Sequence, residues 1–112
     1  MLSRVTAAEL RIGTGRTSRF EGEEYGSEVS FFLVDSDPGQ GPSLHRHPYT
    51  ETWVVLEGEA TVTADGEEHH AAAGDILVVG AGTHHKFVAT GTGPLRMACI
   101  HGSPRMIQEN LE

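Results

Sequence analysis

The stretch whose reading decides the fold runs from Gly39 to Gly58: GQGPSLHRHPYTETWVVLEG. His45 and His47 are two residues apart, so on a strand their side chains point the same way and Arg46 points to the opposite face. Pro48 has no N–H to give to a ladder, so the strand turns there. Glu51 opens the next strand, where Thr52 to Leu56 is rich in β-branched residues. Parity does not carry safely across the turn, so spacing alone leaves open whether Glu51 faces the histidines. A second stretch, Gly74 to Val88, holds a Gly80-Ala81-Gly82 turn followed by His84-His85.

Outward from these stretches the same grammar repeats. Glycines recur beside Asp, Pro or Thr, as in Asp37-Pro38-Gly39, Asp65-Gly66 and Gly91-Thr92-Gly93-Pro94. Between them lie short β-rich runs: Val29 to Val34, Ala60 to Ala64, Glu67 to Ala71, Ile76 to Val79 and Leu95 to His101. Asp65-Gly66 is a preferred pair for a two-residue hairpin turn. The pattern predicts an all-β chain, an antiparallel barrel or sandwich, in a single domain over residues 1–112. Residues 1–18 are expected to form an N-terminal arm, with Thr6 to Arg11 either a helical turn or a strand-like piece. At the other end Ser103 suits a helix cap and Pro104 a first helical position, with Ile107 and Leu111 one turn apart. A short C-terminal helix is therefore expected over about residues 104–110.

The two histidine stretches resemble the motifs of the cupin superfamily, and a small bacterial-type member in particular. The family's first motif is Gly, five residues, His-x-His, three or four residues, Glu, six residues, Gly; Gly39, His45, His47, Glu51 and Gly58 match it at every position. The second is Gly, five residues, Pro-x-Gly, two residues, His, three residues, Asn; Gly74, Gly82 and His85 match, while Gly80 replaces the Pro and Ala89 the Asn. The resemblance covers residues 39–89. It implies a jelly-roll β-barrel in which His45, His47, Glu51 and His85 hold one divalent transition metal. Three imidazoles and a carboxylate suit Fe, Mn, Ni, Co, Cu or Zn rather than Ca or Mg, and the donor set does not choose among them.

Strand parity ranks the remaining candidates. His85 shares parity with Phe87, and His84 with Lys86, a residue that would be costly inside an apolar barrel. His85 is thus expected inside and His84 outside. The expected pocket residues are Phe31, Tyr49, Trp53, Phe87, Met97, Cys99 and His101. Cys99 reads as a small hydrophobe rather than a nucleophile. Arg96 has the fork that binds carboxylates, but reads better as a surface residue of the last strand. Phe32, Val34, Val54 and Leu56 are expected on outer faces, enough apolar surface to predict a homodimer.

Composition narrows the function classes. Eight basic residues against sixteen acidic give a formal net charge of -8, which opposes binding to nucleic acid or anionic membranes. No apolar run approaches the ~20 residues of a membrane-spanning helix. Met1 to Leu10 lacks the basic start and apolar stretch of a signal peptide. The single Cys99 cannot form an internal disulfide, and a cytoplasmic setting is the simplest expectation. A small-molecule ligand or substrate is expected. Two functions stay open: a metal-dependent enzyme of dioxygenase or isomerase/lyase type, and a non-catalytic module that binds or senses a small ligand.

Overall fold

The computed structural model describes residues 1–112. Ten strands follow one another along the chain: β1 (Ser18–Phe20), β2 (Ser30–Ser36), β3 (His45–Arg46), β4 (Glu51–Glu57), β5 (Glu59–Ala64), β6 (Glu67–Ala72), β7 (Ile76–Val79), β8 (His85–Thr90), β9 (Leu95–His101) and β10 (Glu109–Asn110). They form two five-stranded sheets, β1-β2-β9-β4-β7 and β10-β3-β8-β5-β6, and every pairing is antiparallel. The sheets pack face to face as a jelly-roll barrel. No helix is long and apolar enough to cross a membrane.

The turns form where the sequence supplies residues for them. Between β5 and β6, Asp65 and Gly66 both take positive φ (48° and 82°), as a tight two-residue hairpin of right-twisted strands requires. Gly58, at φ 84°, closes the turn after β4; a Cβ there would lie 2.3 Å from the Pro94 carbonyl oxygen, so no larger residue fits.

The core is built from alternate residues of the facing strands. Trp53 and Val55 of β4, and Leu95, Met97 and Cys99 of β9, are at most 2% exposed. Across from them the second sheet offers smaller residues, Ala60, Val62 and Ala89, beside Phe87. Large facing small lets the sheets close around Trp53, whose ring meets Phe87 edge-on at 5.3 Å. Truncating such a tryptophan to alanine costs about 3–5 kcal/mol.

Two local expectations are overturned. Residues 104–110 do not form a helix. The chain crosses the barrel in irregular backbone, and Glu109–Asn110 pairs with Arg46 and His45 as β10. A single seven-residue helix has little stability of its own. Here the tail's polar groups find tertiary partners instead, including the Leu111 amide on the Leu44 carbonyl and the Met106 amide on the Glu21 carboxylate. The second correction is the parity of β2. Its register sets Ser30 opposite His101, Phe32 opposite Cys99 and Val34 opposite Met97, so these β2 residues face inward. Phe31 faces outward and stacks on Phe20 at 4.6 Å, which stacks in turn on Tyr25. Both faces of β2 are apolar, so alternation alone could not choose between them. At the N-terminus, Ala8–Leu10 makes one 3-10 turn and Arg11 bridges to Ser18.

Candidate metal centre

Cross-strand register assembles the site. In the second sheet His45, opening β3, lies opposite His85, opening β8. In the first sheet Glu51, opening β4, lies opposite His101, closing β9. His47 follows β3 directly. One ligand-type atom from each of His45, His47, Glu51 and His85 lies within 4.8 Å of all the others, and all four residues are buried. His84 is exposed on the outer side, 3.4 Å from Arg46 Nη1, and does not join them.

Hydrogen bonds set the tautomer of each imidazole. His45 Nδ1 lies 2.7 Å from the Ser43 carbonyl oxygen, His85 Nδ1 2.7 Å from that of Thr83, and His47 Nδ1 2.7 Å from that of Ile107. A carbonyl only accepts, so each Nδ1 carries the hydrogen and each Nε2 presents a lone pair to the centre. The Glu51 carboxylate is divided. Its Oε2 accepts from Trp53 Nε1–H at 2.7 Å and lies 3.3 Å from His101 Nε2. The Tyr49 hydroxyl bonds His101 Nδ1 on the far side and accepts from the Ile107 amide at 3.3 Å. Both His101 nitrogens are thereby engaged. Glu51 Oε1 points the other way, 3.3 Å from His47 Nε2 and 3.2 Å from His85 Nε2.

Those last three atoms, His47 Nε2, His85 Nε2 and Glu51 Oε1, are buried without a hydrogen-bond partner. The distances are short, but the directions suit no hydrogen bond. With the tautomers fixed by the carbonyls, all three are acceptors facing acceptors. Each unsatisfied buried group costs about 1–3 kcal/mol. One cation satisfies all three at once, and nitrogen with carboxylate oxygen is a donor set for a transition metal. The residues therefore fit a metal ion. Burial opposes ionisation of Glu51, yet it is outweighed, with contact to His101 the largest opposing cause, and the carboxyl is held well below the usual carboxylate range. Burial lowers His45 below the ordinary imidazole value. Burial acts the same way on His85, but contact with Glu51 and the Thr83 carbonyl outweighs it and raises this group. Burial keeps the Cys99 thiol protonated, well above its ordinary value.

A cavity of about 550 Å³ opens onto this centre, reaching His45 and Glu51. Of the expected pocket residues, Trp53, Phe87, Cys99 and His101 line it. Three do not. Phe31 is outside, and Phe32 takes its place on the wall. Met97, 1% exposed, is core. Tyr49 stands behind His101 and bonds it. Sequence reasoning missed Thr17, Ser36, Gln40 and Gln108, which bring neutral polar groups to the cavity from three separate parts of the chain. None of them carried a signal in the sequence: Ser36 shares parity with Phe32 and Val34, the face of β2 expected outside.

Residues 32–101 match the cupin domain family model, and the chain belongs to that family. It is 35% identical over 81 residues to quercetin 2,3-dioxygenase of Bacillus subtilis, covering 69% of this chain and 24% of that protein. It is 34% identical over 56 residues to the HTH-type transcriptional regulator PuuR of Escherichia coli, covering 50% of this chain and 30% of the regulator. The chain thus spans less than a third of either relative. A conserved protein with a double-stranded β-helix domain from Klebsiella pneumoniae superposes over 99% of both chains, with a TM-score of 0.78 at 25% identity.

Proposed function

We propose that this chain is a metal-dependent enzyme acting on a small organic molecule held in the barrel cavity, with oxygen-dependent, dioxygenase-type chemistry as the first reading. The observation that carries it is the trio of buried, unpartnered acceptor atoms beside an open cavity. In this reading His45, His47, Glu51 and His85 hold one divalent transition metal. A redox-active ion there supplies the electron exchange that oxygen chemistry needs; a Lewis-acidic one polarises a carbonyl. The protein's own part is positional. The three backbone carbonyls aim the imidazoles, Trp53 and His101 fix the carboxylate, and Phe32 and Phe87 give the organic molecule flat walls while excluding water. Isomerase or lyase chemistry ranks second, because it needs a proton carrier. His101, the one cavity histidine outside the ligand set, has both nitrogens committed to Glu51 and Tyr49.

Similarity to a segment of a transcriptional regulator supports the non-catalytic alternative, a ligand-sensing module. One experiment separates the readings. Protein purified without a histidine tag or added metal is assayed for metal content, then for oxygen consumption with small phenols and enols. Iron with oxygen uptake that disappears in His47→Ala is expected. Tight binding of a ligand that is recovered unchanged, with no oxygen uptake under any metal, would overturn the enzymatic reading in favour of sensing. For assembly we propose a homodimer, now through the outer face of β4 and β7, where Leu56, Ile76 and Val78 are 58%, 68% and 69% exposed and β7 is a sheet edge. Sedimentation at micromolar concentration showing only a 12.0 kDa species would overturn it.

A further inference from the structure

The cavity carries information about the charge of what it binds. The chain has eight lysine and arginine residues, and none of them lines the cavity. Arg16 is paired with Asp35 and Asp37, Arg46 with Glu109, and Lys86 with Glu112, all on the outer surface. Arg96, the side chain best shaped to fork a carboxylate, pairs in register with Asp35 and Glu57 and points outward between core neighbours Leu95 and Met97. Glu51 is the only acidic residue on the wall, and its Oε2 is already bound by Trp53. The remaining polar side chains on the wall are His45, a candidate ligand of the centre, His101, held between Glu51 and Tyr49, and the neutral groups of Thr17, Ser36, Gln40 and Gln108. The apolar walls are flat rings from both sheets: Phe32 and Trp53 on one side, Phe87 on the other.

From this we infer that the cavity takes a planar, oxygenated organic molecule bearing at most one negative charge, of phenol or enol type, and rejects dicarboxylates and phosphate esters. The inference rests on the metal reading above. A divalent ion brings two positive charges and Glu51 removes one, so one remains. A single phenolate or enolate oxygen is compensated by it. A second anionic group would be buried with no cation to pair with, and an unpaired buried charge is strongly penalised. Hydroxyl and carbonyl groups away from the ion find neutral partners at Ser36, Thr17 and the two glutamines. The rings match the aromatic walls, where edge and face contacts add to simple burial.

A matched pair of probes tests this without turnover. 2,3-Dihydroxynaphthalene and naphthalene-2,3-dicarboxylate share a ring system and differ in charge. Each is titrated calorimetrically into zinc-loaded protein, in which no redox step competes. The diol should bind at least about tenfold more tightly than the dicarboxylate, and Phe87→Ala should weaken the diol. Placing a cation on the wall with Ser36→Arg should narrow or reverse the preference, which a merely steric selectivity would not do. Equal affinities, a preference for the dicarboxylate, or no binding of the diol would overturn the proposal. Zinc content is measured on the same samples. Protein that takes up no zinc refutes the metal reading itself, whereas protein that holds zinc and prefers the dicarboxylate refutes only the ligand class.

Discussion

His45 and His85 differ from His47 in how they are held. Each of the first two bonds the carbonyl two residues before it, Ser43 or Thr83, so its aim is settled by its own strand entry. His47 instead bonds the Ile107 carbonyl, sixty residues away. The same Ile107 offers its amide to Tyr49, which bonds His101, which lies against Glu51. One side of the centre is thus built into local loops. The other is completed only when the C-terminal tail lies across the barrel. Removing the tail would take the carbonyl partner from His47, whereas the side-chain bonds of His45 and His85 lie outside the tail.

The largest expected effect comes from removing a ligand on either side. His85→Ala and His47→Ala should each lower zinc affinity by more than about 100-fold, beyond the range typical for supporting residues. Competition with a chromogenic chelator measures this, and unchanged affinity in either variant would remove that residue from the site. His84→Ala, by contrast, should keep full metal content, because His84 is exposed and lies against Arg46.

Next comes the tail. Ending the chain after Ser103 should reduce affinity about 10–100-fold, the usual cost of losing a supporting hydrogen bond on a ligand histidine. Far-ultraviolet circular dichroism should stay β-rich, since the tail contributes only the two-residue edge strand β10. An undiminished affinity would dissolve the distinction between the two kinds of ligand.

Coupling must also run in reverse: if a docked tail favours the metal, the metal favours a docked tail by the same factor. Tryptic cleavage after the exposed Arg105 should therefore slow several-fold when zinc is added to the intact protein. An identical rate with and without zinc would break the link. The smallest effect belongs to the surface contacts of the tail. Glu109→Ala removes the exposed pair with Arg46, a change worth about 0.2–1 kcal/mol. It should barely move metal affinity or thermal stability.

How much of this was legible in the amino-acid order depends on range. The grouping of His45, His47, Glu51 and His85 was legible through the resemblance to the cupin motifs, whereas strand parity alone paired His45 with His47, chose His85 over His84 and left Glu51 open. The preference for His85 over His84 followed from Lys86, whose charge settles which face is outside. Phe31 was misplaced because β2 is apolar on both faces, and only pairing with β9 distinguishes them. The tail was misread for a related reason. Ser103 and Pro104 do favour a helical start, but the partners that overrule it, Leu44, Arg46 and Tyr49, lie more than fifty residues earlier. The supporting role of Ile107 had no local signal at all, since a backbone carbonyl leaves no trace in residue type.

Glu51 faces His101 across one ladder, and His45 faces His85 across the other. Strand side chains alternate sides, so a one-residue slip of β9 past β4 would turn His101 out of the barrel, and a similar slip of β8 would turn out His85. The quartet of donors, together with the His101 that supports Glu51, comes together only when both sheets are aligned correctly. An ion that binds this alignment and no slipped one stabilises it by mass action. Metal present during refolding should act as a proofreader of strand pairing, raising the yield of the native barrel over its near-miss neighbours.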